Sequence, residues 1–576
     1  MKINIKKAFP LFFGIAIWVF FAFIYKYHLL YIEKMQMFLF TKDYFTETVR
    51  HPGGFGDYIS RFLIQFYYYP AIGGAILALL LCSLQKEIFI FCKNINGKDY
   101  LYPLTFIPSF FYWALMCNEN FTLTGLIGLI GAIWITNIYL RNKKNNAVFR
   151  GLFSFLIIPV IWLLFGGTAI VTFALILIAE FSIKKKYNII VSSLTVISVI
   201  VTAILAPSVS PQVTNSNMFL GGNYYRYTNI PLSMFVLLWT SVVAVILIVK
   251  YIPIYNKKRI SIVLTVAVIC LGVCFIAKEY NKESENIMFY IDHVRSRDWN
   301  GIIKHKITDK KPSPIFTNSI NLALAMSKNE EGVSLLGERA FKYYQNGLIS
   351  LISKPENDWV VSSEILYNLG FINEAQRYVF EAMVIMPDNQ TGTFFITRLA
   401  ETNLIAGRRR VAEKYLHILK NTLFYHYWAK ERLKMSEDDV NSDPIYGHLR
   451  KMQPKTDFLF NPDEFVRMLK IIFIQHPDND LVRDYLLMAF LLDNNLNDFA
   501  SLINSQKTIP HQYQEALALL YEINSIPSKN RFIKIEEPIT KEVTHFIEMY
   551  GKNSGDASVL AKYFWGTYCF YYTFRY

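Results

Sequence analysis

The sequence predicts an all-α protein in two parts: a polytopic helical membrane domain over residues 1–277 and a helical-repeat domain over 286–576. Three observations predict it. Apolar runs fill the first half, at about 8–27, 67–84, 101–117, 121–140, 148–165, 168–183, 187–206, 231–250 and 259–277. Runs of roughly 17–25 such residues are long enough to cross a bilayer as helices. Basic residues crowd into alternate connections between these runs. Beyond residue 277 apolar residues recur with helical spacing, and few stretches alternate as strands do.

Charge divides the chain in the same place. Up to residue 277 there are 23 Lys and Arg against 8 Asp and Glu, and from 278 onward 36 against 37. The whole excess of positive charge therefore belongs to the apolar half. A nucleic-acid partner needs a basic patch on a folded surface, so this distribution argues against one. It suits the bias of Lys and Arg toward cytosolic loops instead.

The first run follows Lys2, Lys6 and Lys7 but lacks a small-residue cleavage site, so it reads as a retained anchor. With the N-terminus in the cytosol, 17 of the 23 basic residues fall on cytosolic connections. Nine crossings then put the C-terminal domain outside. The turns Asn118-Glu119-Asn120 and Gly166-Gly167 are nearly minimal. Glu180 is the only acid inside a run, and Lys184, Lys185 and Lys186 are its expected partners. Ionisable residues are too scarce in the runs to suit an ion-coupled carrier.

Two outer connections are long, and loops beyond a dozen residues are uncommon unless functional or disordered. In the first, 28–66, residues 29–40 are expected to form a surface helix with Glu33 and Gln36 on its polar side. Thr41 or Asp43 caps a short turn through 44–50. His51-Pro52-Gly53-Gly54 breaks the chain. Phe55, Tyr58, Ile59, Phe62, Leu63 and Phe66 then make a helical apolar stripe, with Asp57, Arg61 and Gln65 opposite. Asp57 and Arg61 are spaced to pair.

Two readings of this loop stay open. It is an interfacial anchor with solvated charges, or it is a catalytic or headgroup-binding site. In the second reading Glu33, Asp43 and Asp57 are the candidate acids, and Gln36, Arg50, His51 and Arg61 contact substrate. A carboxylate beside the hydrocarbon boundary is poorly solvated, which raises its proton affinity as a general base requires. The second loop, 207–230, carries Tyr224, Tyr225, Arg226 and Tyr227. Arg226 either holds a phosphate bidentately or snorkels within an aromatic belt.

The polar stretch 278–285 reads as a linker. In the outer half, residues 362–389 have the clearest helix-pair pattern: Gly370 ends one helix, Ala375, Val379 and Ala382 pack the next, and Pro387 stops it. Gly407, Ala412 and Leu416 repeat it 37 residues on, and HPDN at 476–479 echoes MPDN at 386–389. The alternative is an irregular helical bundle. The six cysteines show no disulfide or zinc spacing, the histidines form no paired metal motif, and the aromatic tail 562–576 is expected to pack as a last helix or to touch the membrane interface.

Three resemblances follow from these residues. The stretch YHLLYIEKMQMFLFTKDYF…HPGGFGDY…FLIQFYYYP resembles the N-terminal signature of an uncharacterised family of Bacteroides-type multi-pass membrane proteins, which implies a bacterial inner-membrane location with a periplasmic C-terminal domain. The helix pairs resemble tetratricopeptide repeats, which implies a protein partner. The membrane half resembles type C glycosyltransferases in topology. That likeness implies a polyprenyl-phosphate sugar as lipid substrate, Glu33 or Asp43 activating the acceptor or orienting a divalent metal ion, and Arg226 holding the lipid phosphate. A non-enzymatic scaffold docking envelope proteins is the alternative, and a lipid transporter or flippase the third.

Overall fold

The computed structural model describes residues 5–141, 146–184, 188–209, 232–251, 257–305, 314–327, 338, 340–342, 357–386, 391–456, 461, 464–503, 509–527 and 531–574. Among them every element is helical, as the periodicity predicts. The chain forms two compact units. One comprises Met1–Met288, Met386–Ile396 and His417–Lys430; the other comprises Phe289–Ile385, Thr397–Leu416 and Glu431–Tyr576.

Among the described residues of the first unit, six helical stretches are long and apolar enough to cross a membrane: Pro70–Asn94, Thr124–Arg141, Ala147–Ser182, Ile189–Val209, Met234–Tyr251 and Ile260–Glu279. A seventh is counted if Ala8–Ile24 and Lys26–Met35, bent by 74°, form one broken span. Two features separate this count from the nine runs of the sequence. Residues 101–117 do not form one long α-helix: a 3-10 segment, Asp99–Phe106, carries Pro103 and leads into the nine-residue helix Ile107–Leu115. The runs at 148–165 and 168–183 join in one 36-residue stretch, interrupted where Gly166 has φ +66° and ψ −138°.

Packing within this unit follows from the apolar stripes. Helix Ile5–Val19 lies along Pro70–Asn94, and Ile189–Val209 along Ala147–Phe165. Phe13, Ile17 and Phe21 are buried in the same cluster as Leu77, Leu81 and Leu84. Glu180, expected to pair with Lys184, Lys185 and Lys186, whose side chains lie outside the described residues, meets Arg150 instead. It is 1% exposed and takes both arms of the buried Arg150 guanidinium, at 2.9 and 3.0 Å, with the Tyr139 hydroxyl donating at 2.7 Å. Three helices share this bond set. An acid that far from water needs a bidentate partner and a further donor, and a flexible lysine does not supply that geometry.

In the second unit, Asn357–Leu369 packs against Ile372–Ile385. Ala375, Val379, Ala382, Ala412 and Leu416 are all buried, as the pattern requires. Arg398 joins the pairs: its Nε donates to Glu364 Oε1 at 2.9 Å, its Nη1 to Glu401 Oε2 at 2.7 Å, and its guanidinium lies 3.5 Å over the Tyr367 ring. Burial pushes the Glu401 carboxyl up, but Arg295 and Arg398 outweigh it and hold the group below the usual carboxylate range. The aromatic tail forms the helix Tyr568–Phe574. The buried Glu515 carboxylate accepts the Tyr568 and Cys569 N–H groups at 3.0 and 3.1 Å. Six free thiols complete the picture.

Ala382 is 1% exposed in the paired helices. Ala382→Arg therefore buries an unpaired charge and should destabilise the second unit by about 3–5 kcal/mol. Limited proteolysis of the full chain in detergent checks this. Digestion of residues 357–385 should accelerate in the variant, whereas an unchanged rate contradicts the buried assignment.

Candidate functional site

The connection between the first two apolar runs begins at a bend. The α-helix Ile5–Val19 widens into the π-helical turn Phe20–Ile24, Tyr25 leaves helical geometry (φ −122°, ψ 42°), and the chain turns into helix Lys26–Met35. A new helix start leaves backbone N–H groups without partners. Glu285, 7% exposed, satisfies two of them: its Oε1 accepts from Tyr27 N–H at 2.8 Å and its Oε2 from His28 N–H at 2.9 Å. The converse problem lies beside it, at the carbonyls beyond helix Ile107–Leu115. The Tyr25 hydroxyl donates to Cys117 O at 3.0 Å and His28 Nε2 donates to Met116 O at 2.9 Å. The Tyr25 and His28 rings stack 4.5 Å apart. Burial pushes the Glu285 carboxyl up to about 7, against the pull of the two backbone N–H groups and Lys26.

The helix stops at Met35. Residues 29–40 are therefore not one surface helix, and Gln36 is extended (φ −124°, ψ 144°) rather than one turn from Glu33. Both side chains are buried, at 3% for Glu33 and 7% for Gln36, whose Nε2 has no hydrogen-bond partner among the described residues. Two short segments from later in the chain pack against this extended stretch. Tyr425 donates its hydroxyl to Glu33 Oε2 at 3.1 Å, and Phe40 N–H donates to Asn421 O at 2.9 Å. Gly392 lies so close that a Cβ would stand 2.3 Å from Lys34 O and 2.7 Å from the Met35 backbone, so only glycine fits.

Thr41 caps the next helix, Lys42–Val49, accepting from Tyr44 N–H at 3.3 Å. Asp43 is in its first turn and exposed; Arg50, just past its end, is exposed too, and His51 is half-buried. The Pro-Gly-Gly break has a steric reason. Gly53 has φ +80°, its N–H donates to Leu163 O at 2.9 Å, and a Cβ there would sit 3.3 Å from Gly166 N. One glycine turn is thus laid against another.

Helix Gly54–Ile64 then runs with its polar side inward. Asp57 is 2% exposed; its Oδ2 takes Arg61 Nε at 2.9 Å and its Oδ1 the Thr124 hydroxyl at 3.0 Å. Gln65 is buried, while Phe55, Tyr58, Ile59, Phe62 and Leu63 are half-buried. The expected pair of Asp57 and Arg61 forms; the polar face expected to be solvated is instead the one that meets helix Thr124–Arg141.

Of the sequence-derived site residues, Asp57 and Arg61 come together, Glu33 meets Tyr425, and Asp43 and Arg50 are exposed. Tyr224, Tyr225 and Arg226 lie outside the described residues. Among the described residues no group of three or more His, Cys, Asp or Glu side chains is placed to hold a metal ion. Glu285, Tyr425 and Gly392 are absent from the sequence reading. Glu285 sits in an unremarkable polar stretch, and its partners are 257 and 258 residues away.

These features define an all-helical protein with several helices long and apolar enough to cross a membrane. The chain belongs to a family of unknown function, DUF6057, whose pattern it matches over residues 1–575. No curated protein and no solved structure matches it significantly.

Two measurements check the site. Asp57→Ala strands Arg61 and the Thr124 hydroxyl in a buried setting and should cost about 3 kcal/mol. Asp43→Ala, at an exposed position, should cost less than about 1 kcal/mol. Equal thermal shifts for the two would contradict the geometry. The second concerns pH. Because the Glu285 carboxyl is raised from 4.5 to about 7, the folded state favours its neutral form. Its contribution to stability is full below about pH 4.5 and is lost as pH rises through about 7, an effect of about 3 kcal/mol at most. Glu285→Gln cannot ionise and should flatten the fall in Tm between pH 5 and pH 8. Parallel pH profiles for the two proteins would contradict it.

Proposed function

We propose that this protein is a non-enzymatic membrane scaffold, whose outer helical domain, built from tetratricopeptide-like pairs, docks an envelope protein. The observation that carries this is the use made of the acids. Glu33 holds Tyr425, and Asp57 holds Arg61 and Thr124. Both carboxylates are spent on fixing the loop to neighbouring segments, which is what a rigid support requires.

The topology belongs to the same proposal. The chain crosses a bacterial inner membrane nine times, with its N-terminus in the cytosol and its outer domain in the periplasm. Three features support the crossings beyond six. The segments Asp99–Phe106 and Ile107–Leu115, of 8 and 9 residues, have a combined rise of about 30 Å at ~2.0 and ~1.5 Å per residue. That is the thickness of the hydrocarbon core. A straight helix over all of Ala147–Ser182 would be ~54 Å long, far too long for one crossing, and Gly166 divides it. Ala8–Ile24 supplies the first. Reporter fusions after Lys144 and after Tyr576 should give opposite signals; matching signals contradict the nine-crossing count.

A second reading is kept by one observation. Asp43 is the candidate acid that is exposed, as a base in a glycosyltransferase acting on a lipid-linked sugar has to be when substrate is absent. The two readings separate in a complementation assay of a growth or surface-glycan phenotype. The scaffold predicts wild-type function for Asp43→Asn, and for Asp57→Asn a loss that follows protein abundance. The enzyme predicts a fall of roughly 10²-fold or more in rate for Asp43→Asn at unchanged abundance. That second result would overturn the scaffold.

A further inference from the structure

Residues 420–430 form a short rigid loop and a helix start that the sequence leaves without any role. The Thr422 hydroxyl donates to Leu419 O at 2.7 Å and accepts from Tyr425 N–H at 3.3 Å, and His426 Nδ1 donates to Lys420 O at 2.5 Å. A loop closed in this way presents its side chains in fixed directions. Thr422 and Ala429 point inward. Leu423 and Tyr427 do the opposite: these large, largely apolar side chains are 41% and 76% exposed.

The surroundings say where this loop lies. Phe424 stacks flat on Tyr68 at 4.7 Å and edge-on to Tyr69 at 5.5 Å. Those two tyrosines immediately precede Pro70, the first residue of the spanning stretch Pro70–Asn94. Phe424 is thus level with the outer end of a span. The ring contacts continue from Phe424 to Phe66 at 6.1 Å, to Phe62 at 5.6 Å and to Phe40 at 6.3 Å. Tyr69 and Phe40 at the two ends are half exposed. Tyr and Trp gather where the hydrocarbon core gives way to headgroups, because their rings are apolar bodies with a polar tip. Lys420 and Lys430, both exposed, bracket the loop with the charge that lipid phosphates attract.

We propose that residues 420–430 are a second membrane anchor, seated in the outer leaflet at the headgroup–acyl boundary, with Leu423 and Tyr427 inserted and Lys420 and Lys430 at the phosphates. The partner is a lipid surface. The proposal rests on the membrane reading of the preceding section. It gives this segment of the outer half a purpose: it is pinned from one side by Glu33 and from the other by lipid.

The test is photocrosslinking in the full chain. Benzoylphenylalanine is placed singly at Leu423, at Tyr427 and at Ile72, an exposed residue in the first turn of the span. Each protein is reconstituted in vesicles of phosphatidylethanolamine and phosphatidylglycerol carrying an alkyne on the acyl chain. The anchor predicts light-dependent lipid adducts at Leu423 and Tyr427 of the same order as at Ile72, and at least fivefold above unirradiated samples. Adducts at Ile72 alone overturn the anchor and leave the span standing. Adducts at none of the three overturn both. A covalent dimer at Tyr427 in place of a lipid adduct also overturns the anchor, because it makes this face a contact between copies.

Discussion

A helix that ends away from water must find partners for its last N–H or C=O groups, and the first unit is organised around that constraint. Lys26–Met35 begins beside the core, so Glu285 reaches its first amides from the far side of the sequence. The carbonyls beyond Ile107–Leu115 are met by Tyr25 and His28. The break after Ala147–Phe165 is met by the backbone of Gly53. Each solution joins two segments distant in the chain. An unpaired backbone group in such a place costs on the order of 1–3 kcal/mol, so the joints set where the connection 28–66 can lie. The second unit uses the same device once more, with Glu515 at the start of the terminal helix.

Three charges of the first loop, Glu33, Asp57 and Arg61, make structural contacts, while Lys42, Asp43, Glu47 and Arg50 are exposed. Asp57 turns inward because Arg61 and Thr124 wait there. Glu33 is covered by Tyr425, and Gly392 removes the side chain that would have kept its segment away. An acid with two or three partners of this kind is a strut. Asp43 and Arg50 are exposed at the two ends of one short helix.

Much of the architecture is legible in the sequence, and the failures have physical causes. Periodicity of 3.6 identifies the helices, and the small residues Ala375, Ala382 and Ala412 mark buried faces because little else fits between close helices. The stripe from Phe55 to Phe66 is legible too, but its meaning is not. Amphipathicity locates two faces without saying which one meets protein, and here the polar face is the more buried. Residues 29–40 are apolar enough to pass for a continuous helix, yet the extended stretch from Gln36 is set by Gly392 and Asn421, which lie more than 350 residues on. Glu180 illustrates the same limit: nearness in sequence favours the lysines, whereas burial demands the guanidinium of Arg150. Glu285 and Tyr425 carry no local signal at all, since their work depends on contacts that only the folded chain makes.

The most direct test of the helix-end account is hydrogen exchange at residues 26–31 in the full chain, in lipid nanodiscs, comparing wild type with Glu285→Ala. Removing both acceptors frees the amides of Tyr27 and His28 and unpins the helix start. A hydrogen bond to a neutral group contributes about 0.5–1.5 kcal/mol, so loss of the two predicts roughly tenfold faster exchange there, with helix Thr124–Arg141 unchanged. Exchange at residues 26–31 that is the same in both proteins would contradict it.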